Sequence, residues 1–446
     1  MKRGFTLLFF VITLLPGLVF AQVNDSSQIA VARQSTSSDS VVQPAAATTE
    51  PATAPAEAVL VAADENGFNI RSADQDFQLR LRGDVQADGR FFNDADLAPG
   101  SESFYLRRVR LVFQGTVFKR FDFRIMPNFG MGRAELQDAY LDARFFPFFG
   151  VRAGKFKVPV GLELLQSPTD ALFIEQSYAV SLGPNRDVGV QLHGELLNRR
   201  LAYQFGFFNG SADGASIDAD LNNSKDVVAR VFATPFRGAD LPLKGLGLGI
   251  AVTTGTREGT AANPDLPSFR TTGRQTFFRY LAGGESVALA AGTHTRIVPQ
   301  GYFYHGPVGL MSEYAVSLQE VQKGDASTAL SHRAWHVAGS IVLTGENATY
   351  GRLKPRAPYD GNGNWGAFEV VGRVHSLQVD DATFPTFADP ARTASSAFTW
   401  GLGLNWYVNS NVRLSFNYEQ TSFDAAGGAD RRDTEHVLLS RFQIAF

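Results

Sequence analysis

The chain of 446 residues contains no cysteine, so no disulfide can hold it together. After the first 21 residues, no stretch approaches the roughly 18 uncharged apolar residues expected of a membrane-spanning helix. The mean hydropathy of -0.09 is also too low for a bundle of such helices. Basic residues are not in excess, because 41 Lys and Arg accompany 44 Asp and Glu. A disulfide scaffold, a helical membrane protein and a nucleic-acid-binding protein are therefore all disfavoured.

The N-terminus has the features of an export signal. Lys2 and Arg3 precede an apolar run from Phe5 to Phe20, and Ala21 supplies the small residue at a cleavage site. The run is shorter than the roughly 20 apolar residues of a spanning helix. We therefore expect residues 1–21 to be a cleaved signal peptide.

The next segment, residues 22–65, is rich in Ser, Thr, Ala, Pro and Gln through most of its length. A segment of this composition cannot bury enough apolar surface to offset the entropy lost on folding. We predict a disordered spacer in the periplasm. A segment that reaches peptidoglycan or binds a partner is the alternative.

From Phe77 the sequence FQLRLRGDVQADGRF alternates apolar and polar residues without a break. Such a period of two predicts a β-strand. The run exceeds the five or six residues, roughly, of a soluble strand and approaches the about 9–11 or more of a tilted membrane-crossing strand. The pattern recurs at 109–118, 121–125, 139–145, 187–196, 201–208, 399–407, 412–419 and the C-terminal LLSRFQIAF. Alternation alone fits both a soluble sandwich and a membrane barrel.

The connections between these strands favour the barrel. Tight turns are predicted at Lys119-Arg120, Pro147, Asn198-Arg199 and Asn409-Ser410, and long polar stretches at 92–103, 158–185, 210–224, 256–290, 380–396 and 424–434. Short periplasmic turns and long outer loops are typical of outer-membrane barrels, and this scheme gives about sixteen strands. We predict an all-β fold, a transmembrane antiparallel β-barrel over residues 66–446, in the outer membrane of a Gram-negative bacterium.

The last residue, Phe446, ends an amphipathic strand whose outward set would include Leu438, Phe442 and Ile444. A terminal Phe on such a strand resembles the signal that the barrel-assembly machinery reads. We therefore expect this machinery and the outer-membrane lipid to be partners of the chain.

Motifs for catalysis or metal binding are weak. The glycines of KGLGLGIAV do not have the GxGxxG spacing, and a strand follows them instead of a helix. His332 and His336 would lie about 13 Å apart on one strand, too far to share an ion unaided. GxSxG, P-loop and HExxH motifs are absent from the sequence. We expect no enzyme activity, no cofactor and no metal, with an outer-membrane barrel enzyme as the alternative.

Arginines mark the polar faces of the first strands. They are Arg80, Arg82, Arg90, Arg108, Arg110, Arg124, Arg144 and Arg152, and aspartates 84, 88, 122, 138 and 142 lie among them. In a water-filled lumen these arginines would form a positive track for anions. Alternatively, the acids pair with them across strands and cancel the field. For Arg108 and Arg110 the first reading is favoured, because their strand has no acid from Phe104 to Phe121.

From about Phe68 to Phe446 the chain resembles the phosphate-selective porin O/P family. The resemblance rests on several segments that occur together in order: FYLRRVRLVFQGTVFKRFDFRI, DAYLDARF with VRAGKFKVPVGLE, PNRDVGVQLHGE with FGFFNG, VLTGE, GAFEVVGRV, and LGLNWYVN with VRLSFNYE.

The resemblance implies a trimeric sixteen-stranded barrel for passive uptake of small anions, with a loop folded inward near residues 158–184. Arg107, Arg108 and Arg110 match the arginine-bearing second strand, and Lys155 and Lys157 match the approach to the loop. Phosphate-selecting members place lysines within this loop, whereas here it contains no Lys or Arg and offers Glu163, Asp170 and Glu175. A general or weakly selective solute porin and a structural barrel with a plugged lumen therefore stay open as alternatives.

Overall fold

The computed structural model describes residues 59–93, 102–219, 223–282, 287–426 and 432–446. The predicted signal peptide, residues 1–21, lies outside the described residues, as does most of the predicted spacer. Within these described ranges, no helix has both the length and the apolar character needed to cross a membrane.

The main sheet contains eighteen strands, two of which form an N-terminal hairpin while sixteen close into an antiparallel barrel. The hairpin strands are β1 Val59–Asp64 and β2 Gly67–Ser72. The first barrel strands are β3 Phe77–Phe92, β4 Ser103–Val117, β5 Phe121–Asn128, β6 Glu135–Phe146, β7 Phe149–Lys157, β8 Arg186–Leu196, β9 Leu201–Phe208, β10 Asp226–Ala233 and β11 Leu246–Glu258. After a separate two-stranded hairpin of β12 Ser268–Arg270 and β13 Thr276–Arg279, the barrel continues with β14 Leu289–His305, β15 Val308–Lys323, β16 Ala326–Val342, β17 Ala367–Gln378, β18 Ala394–Tyr407, β19 Val412–Ala425 and β20 Glu435–Ala445.

The last strand pairs with the first barrel strand, from Val437 opposite Phe92 to Ala445 opposite Asp84. This pairing closes the sheet and leaves no open edge in the wall. The predicted all-β barrel of about sixteen strands is confirmed. The short helical segments are α1 Leu162–Leu165 and the 3-10 turns Gly130–Gly132, Tyr178–Leu182, Pro242–Gly245 and Asp381–Thr383.

Side chains alternate across the wall as the sequence pattern predicts. On β3, Asp84, Gln86 and Asp88 are buried in the interior, whereas Val85 between them is 41% exposed on the outer surface. Large apolar side chains such as Leu141 and Leu402 likewise face outward. The barrel therefore has an apolar outer surface and a polar lumen, as a membrane barrel requires.

Two connections, one at each end of the barrel, depart most from the predicted alternation of short and long. We call the barrel end that carries Phe77 and Phe446 the inner end, and the opposite one the outer end. At the outer end, β15 and β16 are joined by a two-residue turn at 324–325, where Gly324 adopts a positive φ of 56°. At the inner end, the connection between β16 and β17 is long and spans residues 343–366. The sequence pattern predicts neither exception.

The N-terminal hairpin corrects the predicted boundary of the spacer at residues 22–65. Val59–Asp64 form a strand that pairs with β2, and β2 pairs in turn with β3, from Phe68 opposite Leu81 to Arg71 opposite Gln78. Because β20 ends at Ala445 opposite Asp84, the hairpin continues the wall beyond the last strand. The apolar residues of VLVAAD find a strand partner here, which composition alone does not reveal.

The lumen is packed unevenly. Residues 158–184, called the inward loop below, and the β12–β13 hairpin contribute to one large apolar cluster with strands β7, β9–β11 and β14–β19. Tyr178, Leu182, Phe277 and Phe278 are among its most deeply buried members. This side of the lumen is filled, so open space lies along the wall formed by β3 to β8.

The terminal residue completes the closure, which generates a test. Phe446 exchanges two backbone hydrogen bonds of 2.9 Å with Gly83, and its ring contacts Phe68 edge-on with centroids 6.2 Å apart. Deleting Phe446 removes both hydrogen bonds, worth about 1–3 kcal/mol together. We expect less protein in the folded form that shifts its gel migration on boiling, with the signal peptide still cleaved. Phe446→Ala keeps the backbone pair and isolates the effect of the ring. Wild-type recovery of the deletion would show that this terminal pair is dispensable.

Candidate functional site

The inward loop crosses the lumen because polar side chains of the wall bind its backbone. Gln300 Nε2 donates to the carbonyl of Val160 at 2.6 Å. On the opposite side, Gln443 Nε2 donates to the carbonyl of Thr169 at 3.0 Å. Other wall side chains that bond the loop backbone are Asn405, Arg413 and Asn417. These contacts pair backbone groups that would otherwise be buried without partners.

The start of α1 is held by one carboxylate. Glu313 on β15 accepts hydrogen bonds from the backbone N–H groups of Leu162 and Glu163, and from His336 Nε2 at 3.1 Å. Carboxylates are favourable at a helix N-terminus because they pair with its free N–H groups. Within the described ranges, Glu163, Glu313 and His336 are the one group whose spacing would suit a metal ion. Glu163 also accepts hydrogen bonds from Ser177 N and Oγ and from Arg373, so these side chains hold the loop in place.

Each predicted acid of the inward loop pairs with an arginine. Glu163 lies 3.3 Å from Arg373 on β17. Asp170 lies 3.5 Å from Arg352 of the 343–366 connection. The loop is therefore not the negative constriction that its composition suggests.

The third acid, Glu175, lies between two arginines. It is 2.9 Å from Arg107 Nε and 3.9 Å from Arg274 Nη1. Burial acts to raise the pKa of the Glu175 carboxyl, but the charge and hydrogen bond of Arg107, together with the charges of Arg274 and Arg108, lower the pKa to about 2. Glu175 therefore stays ionised and paired at neutral pH.

Three of the predicted track arginines are also paired. They are Arg110 with Asp84 at 2.8 Å, Arg124 with Asp138 at 3.2 Å, and Arg152 with Asp142 at 2.5 Å. For these side chains the cross-strand pairing alternative describes the geometry. Their charge is offset locally, and they reinforce the wall.

Three other cations make no ion pair with any described residue. Arg108 Nη1 donates to the amide oxygen of Gln86 at 2.7 Å. Lys157 Nζ donates to the carbonyl of Gln166 at 2.8 Å, at the end of α1. The Nε of Arg82 is buried without a hydrogen-bond partner. We call these three, which have no carboxylate partner among the described residues, the unbalanced cations.

A β-bulge brings Arg107 and Arg108 together. The register between β3 and β4 passes from Gln86 opposite Arg108 directly to Ala87 opposite Leu106, so Arg107 is an extra residue. Both side chains reach lumen partners, Arg107 to Glu175 and Arg108 to Gln86. Strict alternation would place one of two adjacent arginines on the lipid side.

Lys155 does not belong to the anion track that the sequence predicts. It pairs in register with Ala139, and Ala153 pairs with Leu141, which is 68% exposed on the outer surface. Lys155 thus lies on the outer face of β7, where it bonds Asp218 and the carbonyl of Leu136. Lys157, two residues further along the chain, does reach the lumen.

Arg80 lies outside the narrow part of the lumen. It is exposed on the part of β3 that extends beyond β20, where it pairs in register with Asn69 of the N-terminal hairpin. It belongs to the inner rim of the barrel.

Two cavities lie on either side of the inward loop. The inner cavity, of about 410 Å³, is lined by seven basic and three acidic side chains: Arg82, Arg110, Arg124, Arg152, Lys157, Arg186 and Arg352, with Asp84, Asp138 and Asp170. The outer cavity, of about 470 Å³, is lined by Arg107, Arg270 and Arg274 with Glu175 and Asp213. Both cavities therefore have an excess of positive charge.

Sequence reasoning missed several of these cations. Arg186 starts β8 and pairs with Asp138 at 2.8 Å, and Arg352 comes from the unpredicted inner connection. Arg270 and Arg274 belong to the β12–β13 hairpin within the long outer loop. The arginine of the quoted segment PNRDVGV offered a signal for Arg186, whereas the other positions depend on how loops fold.

The barrel resembles solved outer-membrane channels. The outer membrane channel DcaP of Acinetobacter baumannii superposes with a TM-score of 0.53 at 11% identity, covering 84% of this chain and 99% of that one. In-vitro folded OmpT of Vibrio cholerae gives a TM-score of 0.52 at 13% identity, covering 83% and 98%. At such low identity these matches establish the fold.

Sequence comparison gives the family. Porin O of Pseudomonas aeruginosa is 24% identical over 431 residues, covering 87% of this chain and 92% of that protein. The family model described as phosphate-selective porin O and P matches residues 77–446, which is most of the chain. The chain therefore belongs to the phosphate-selective porin O and P family and is an outer-membrane porin.

Proposed function

We propose that this porin conducts small anions along the β3–β8 wall, guided by the cations that lack carboxylate partners. The observation that carries the proposal is the inner cavity, where seven basic side chains face three acidic ones. A solute in this cavity meets a positive potential, which raises the local concentration of anions. Passage needs no energy source, because the protein supplies a diffusion path.

The proposed path begins at the outer cavity. Arg270 is exposed there, and Arg107 and Arg274 share the single carboxylate of Glu175. An anion would next meet Arg108, whose guanidinium bonds only the neutral amide of Gln86. A buried charge without a counter-ion is costly, so a passing anion lowers that cost. Arg82, Lys157 and Arg352 then line the inner cavity.

The family description makes phosphate the first anion to test. Arginine suits phosphate, because a guanidinium offers forked donors and keeps its charge at any physiological pH. The inward loop itself contributes no cation, unlike the lysine-bearing loop of phosphate-selecting relatives. We therefore assign selection to the wall and the connections, with chloride and phosphate both admitted.

A weakly selective solute porin is the second candidate. It is favoured by the pairing of Arg110, Arg124 and Arg152 with aspartates, which removes much of the field along β3–β8. The two candidates differ in the reversal potential under a salt gradient.

We further propose that the barrel is a homotrimer in outer-membrane lipid, inserted by the barrel-assembly machinery, with residues 22–58 in the periplasm. The apolar outer surface supports contact with lipid. A trimer form is described for OmpT of Vibrio cholerae, which shares the fold.

Replacing Arg108 tests the anion path. Arg108→Gln removes one lumen charge, and a charge about 4 Å from a passing ion in water is worth about 1 kcal/mol, or about fivefold in permeability ratio. We expect the reversal potential in a planar bilayer to move towards cation preference and block by phosphate to weaken. Arg133→Gln is the matched control, because Arg133 is exposed and pairs with Glu135 in an outer connection. An unchanged potential in Arg108→Gln would favour the weakly selective porin.

Releasing a paired arginine should act in the opposite direction. Asp84→Asn removes the only carboxylate that pairs with Arg110 among the described residues, so Arg110 joins the unbalanced cations. We expect a stronger anion preference and tighter block by phosphate than in the wild type, by up to about fivefold for one charge near the path. Folding is checked by the gel shift on boiling. An unchanged reversal potential would show that Arg110 and Asp84 do not face the ion path.

A further inference from the structure

The long connection between β16 and β17, residues 343–366 and called the inner connection here, enters the lumen and supports the inward loop from the inner end of the barrel. Tyr350 OH donates to the carbonyl of Leu162 at 2.6 Å, and Gln166 Nε2 donates to the carbonyl of Tyr350 at 2.7 Å. The Tyr350 ring stacks on Tyr302 of β14 with centroids 5.3 Å apart. The connection therefore contacts the wall and both ends of α1 at one point.

Arg352 joins the same connection to the conduction path. Its Nε lies 3.5 Å from Asp170 of the inward loop, and its guanidinium lines the inner cavity. Its Nη1 donates to the backbone carbonyl of Glu65 at 3.5 Å. A single arginine thus bridges the inward loop and the turn of the N-terminal hairpin.

The hairpin is anchored independently of this connection. Strand β2 is hydrogen-bonded to β3 of the barrel, and the Glu65 carbonyl also accepts from Asn411 Nδ2 at 2.8 Å. The Glu65 carboxylate pairs with Lys354, two residues beyond Arg352. Glu65 therefore contacts the connection at Arg352 and Lys354, directly after the Tyr350 contacts with α1.

Residues 343–366 have no helix or strand of their own, so their position depends on these contacts. The apolar part of that support is small, with Ala348 and Leu353 buried against Val342, Ala367 and Tyr407. A segment without regular secondary structure can shift locally when one of the side-chain contacts that hold it is lost.

We propose that Glu65 is a positioning residue of the pore: through its pair with Lys354 it straps residues 350–354 against the inward loop beside the inner cavity. Loss of the strap lets the connection move, which changes the width of the passage without removing a charge from it. Glu65 itself lies in the turn between β1 and β2 and does not line the cavity. The inference uses the porin as a conducting barrel and does not depend on anion preference.

Single-channel recording of the full-length protein in planar bilayers tests the strap, with potassium chloride as the only permeant salt. The variants are Glu65→Gln, Lys354→Gln and the two combined. Loss of one partly exposed ion pair changes a two-state ratio by up to about fivefold. We expect each single variant to raise the time spent in additional conductance levels by a few-fold, and the double variant to add little. Glu195→Gln is the control, because it breaks an exposed pair with Arg199 on a different inner turn.

Wild-type conductance levels in both Glu65→Gln and Lys354→Gln would overturn the strap. An equal rise in additional conductance levels in the Glu195→Gln control would also overturn the strap, because the rise would then follow from any loss of charge at the inner rim. If Glu65→Gln does not yield folded barrels, Lys354→Gln and Tyr350→Phe decide the question on the other side of the contact. The reversal potential of Glu65→Gln should equal that of the wild type, so a failure of the strap and a failure of anion preference give different results.

Discussion

Closure of the sheet is the constraint on which the rest of this structure depends. In hydrocarbon every backbone N–H and C=O must find a partner within the protein, and an open strand edge would leave a row of them unpaired. The pairing of β20 with β3 removes that edge. Because side chains alternate along every strand, the same closure sends half of each strand's side chains into a confined lumen. The polar residues gathered there must then satisfy one another or be satisfied by solutes.

Neighbouring arginines of the lumen find different kinds of partner. Arg110 finds Asp84 directly across the β3–β4 ladder, so its charge is offset by a wall residue. Arg108, two residues away, faces Gln86, which accepts a hydrogen bond but supplies no charge. A difference of one residue type on β3 thus separates an arginine of the wall from an arginine available to anions. In the proposed anion path, passage depends on the cations that the wall does not neutralise.

The alternation of sequences such as FQLRLRGDVQADGRF predicts the strands, because period two and strand length are properties of local sequence, and the lengths of the connections then favour a barrel. The partners of lumen residues are not local. Arg107 and Arg108 both reach the lumen because a bulge shifts the register, and Lys155 leaves it on the outer face of β7. The long inner connection at 343–366 escapes prediction for a related reason, since its polar composition gives no sign that Tyr350 and Arg352 bind a distant loop. The sequence therefore predicts on which face of the wall most side chains lie. It does not predict which lumen side chains form ion pairs there.

The inward loop shows how far composition can mislead about electrostatics. Its Glu163, Asp170 and Glu175 suggest a negative constriction, yet each carboxylate pairs with an arginine from outside the loop. These ion pairs do not occupy the arginines fully. Arg352 and Arg107 also line the two cavities, and Arg373 also donates to the backbone carbonyl of Glu175. The loop therefore contributes shape and anchoring, while the wall and the inner connection contribute charge. A barrel of this family can consequently keep a positive passage with an inward loop that has no basic residue, provided that arginines of the surrounding elements outnumber the acids that they hold in place.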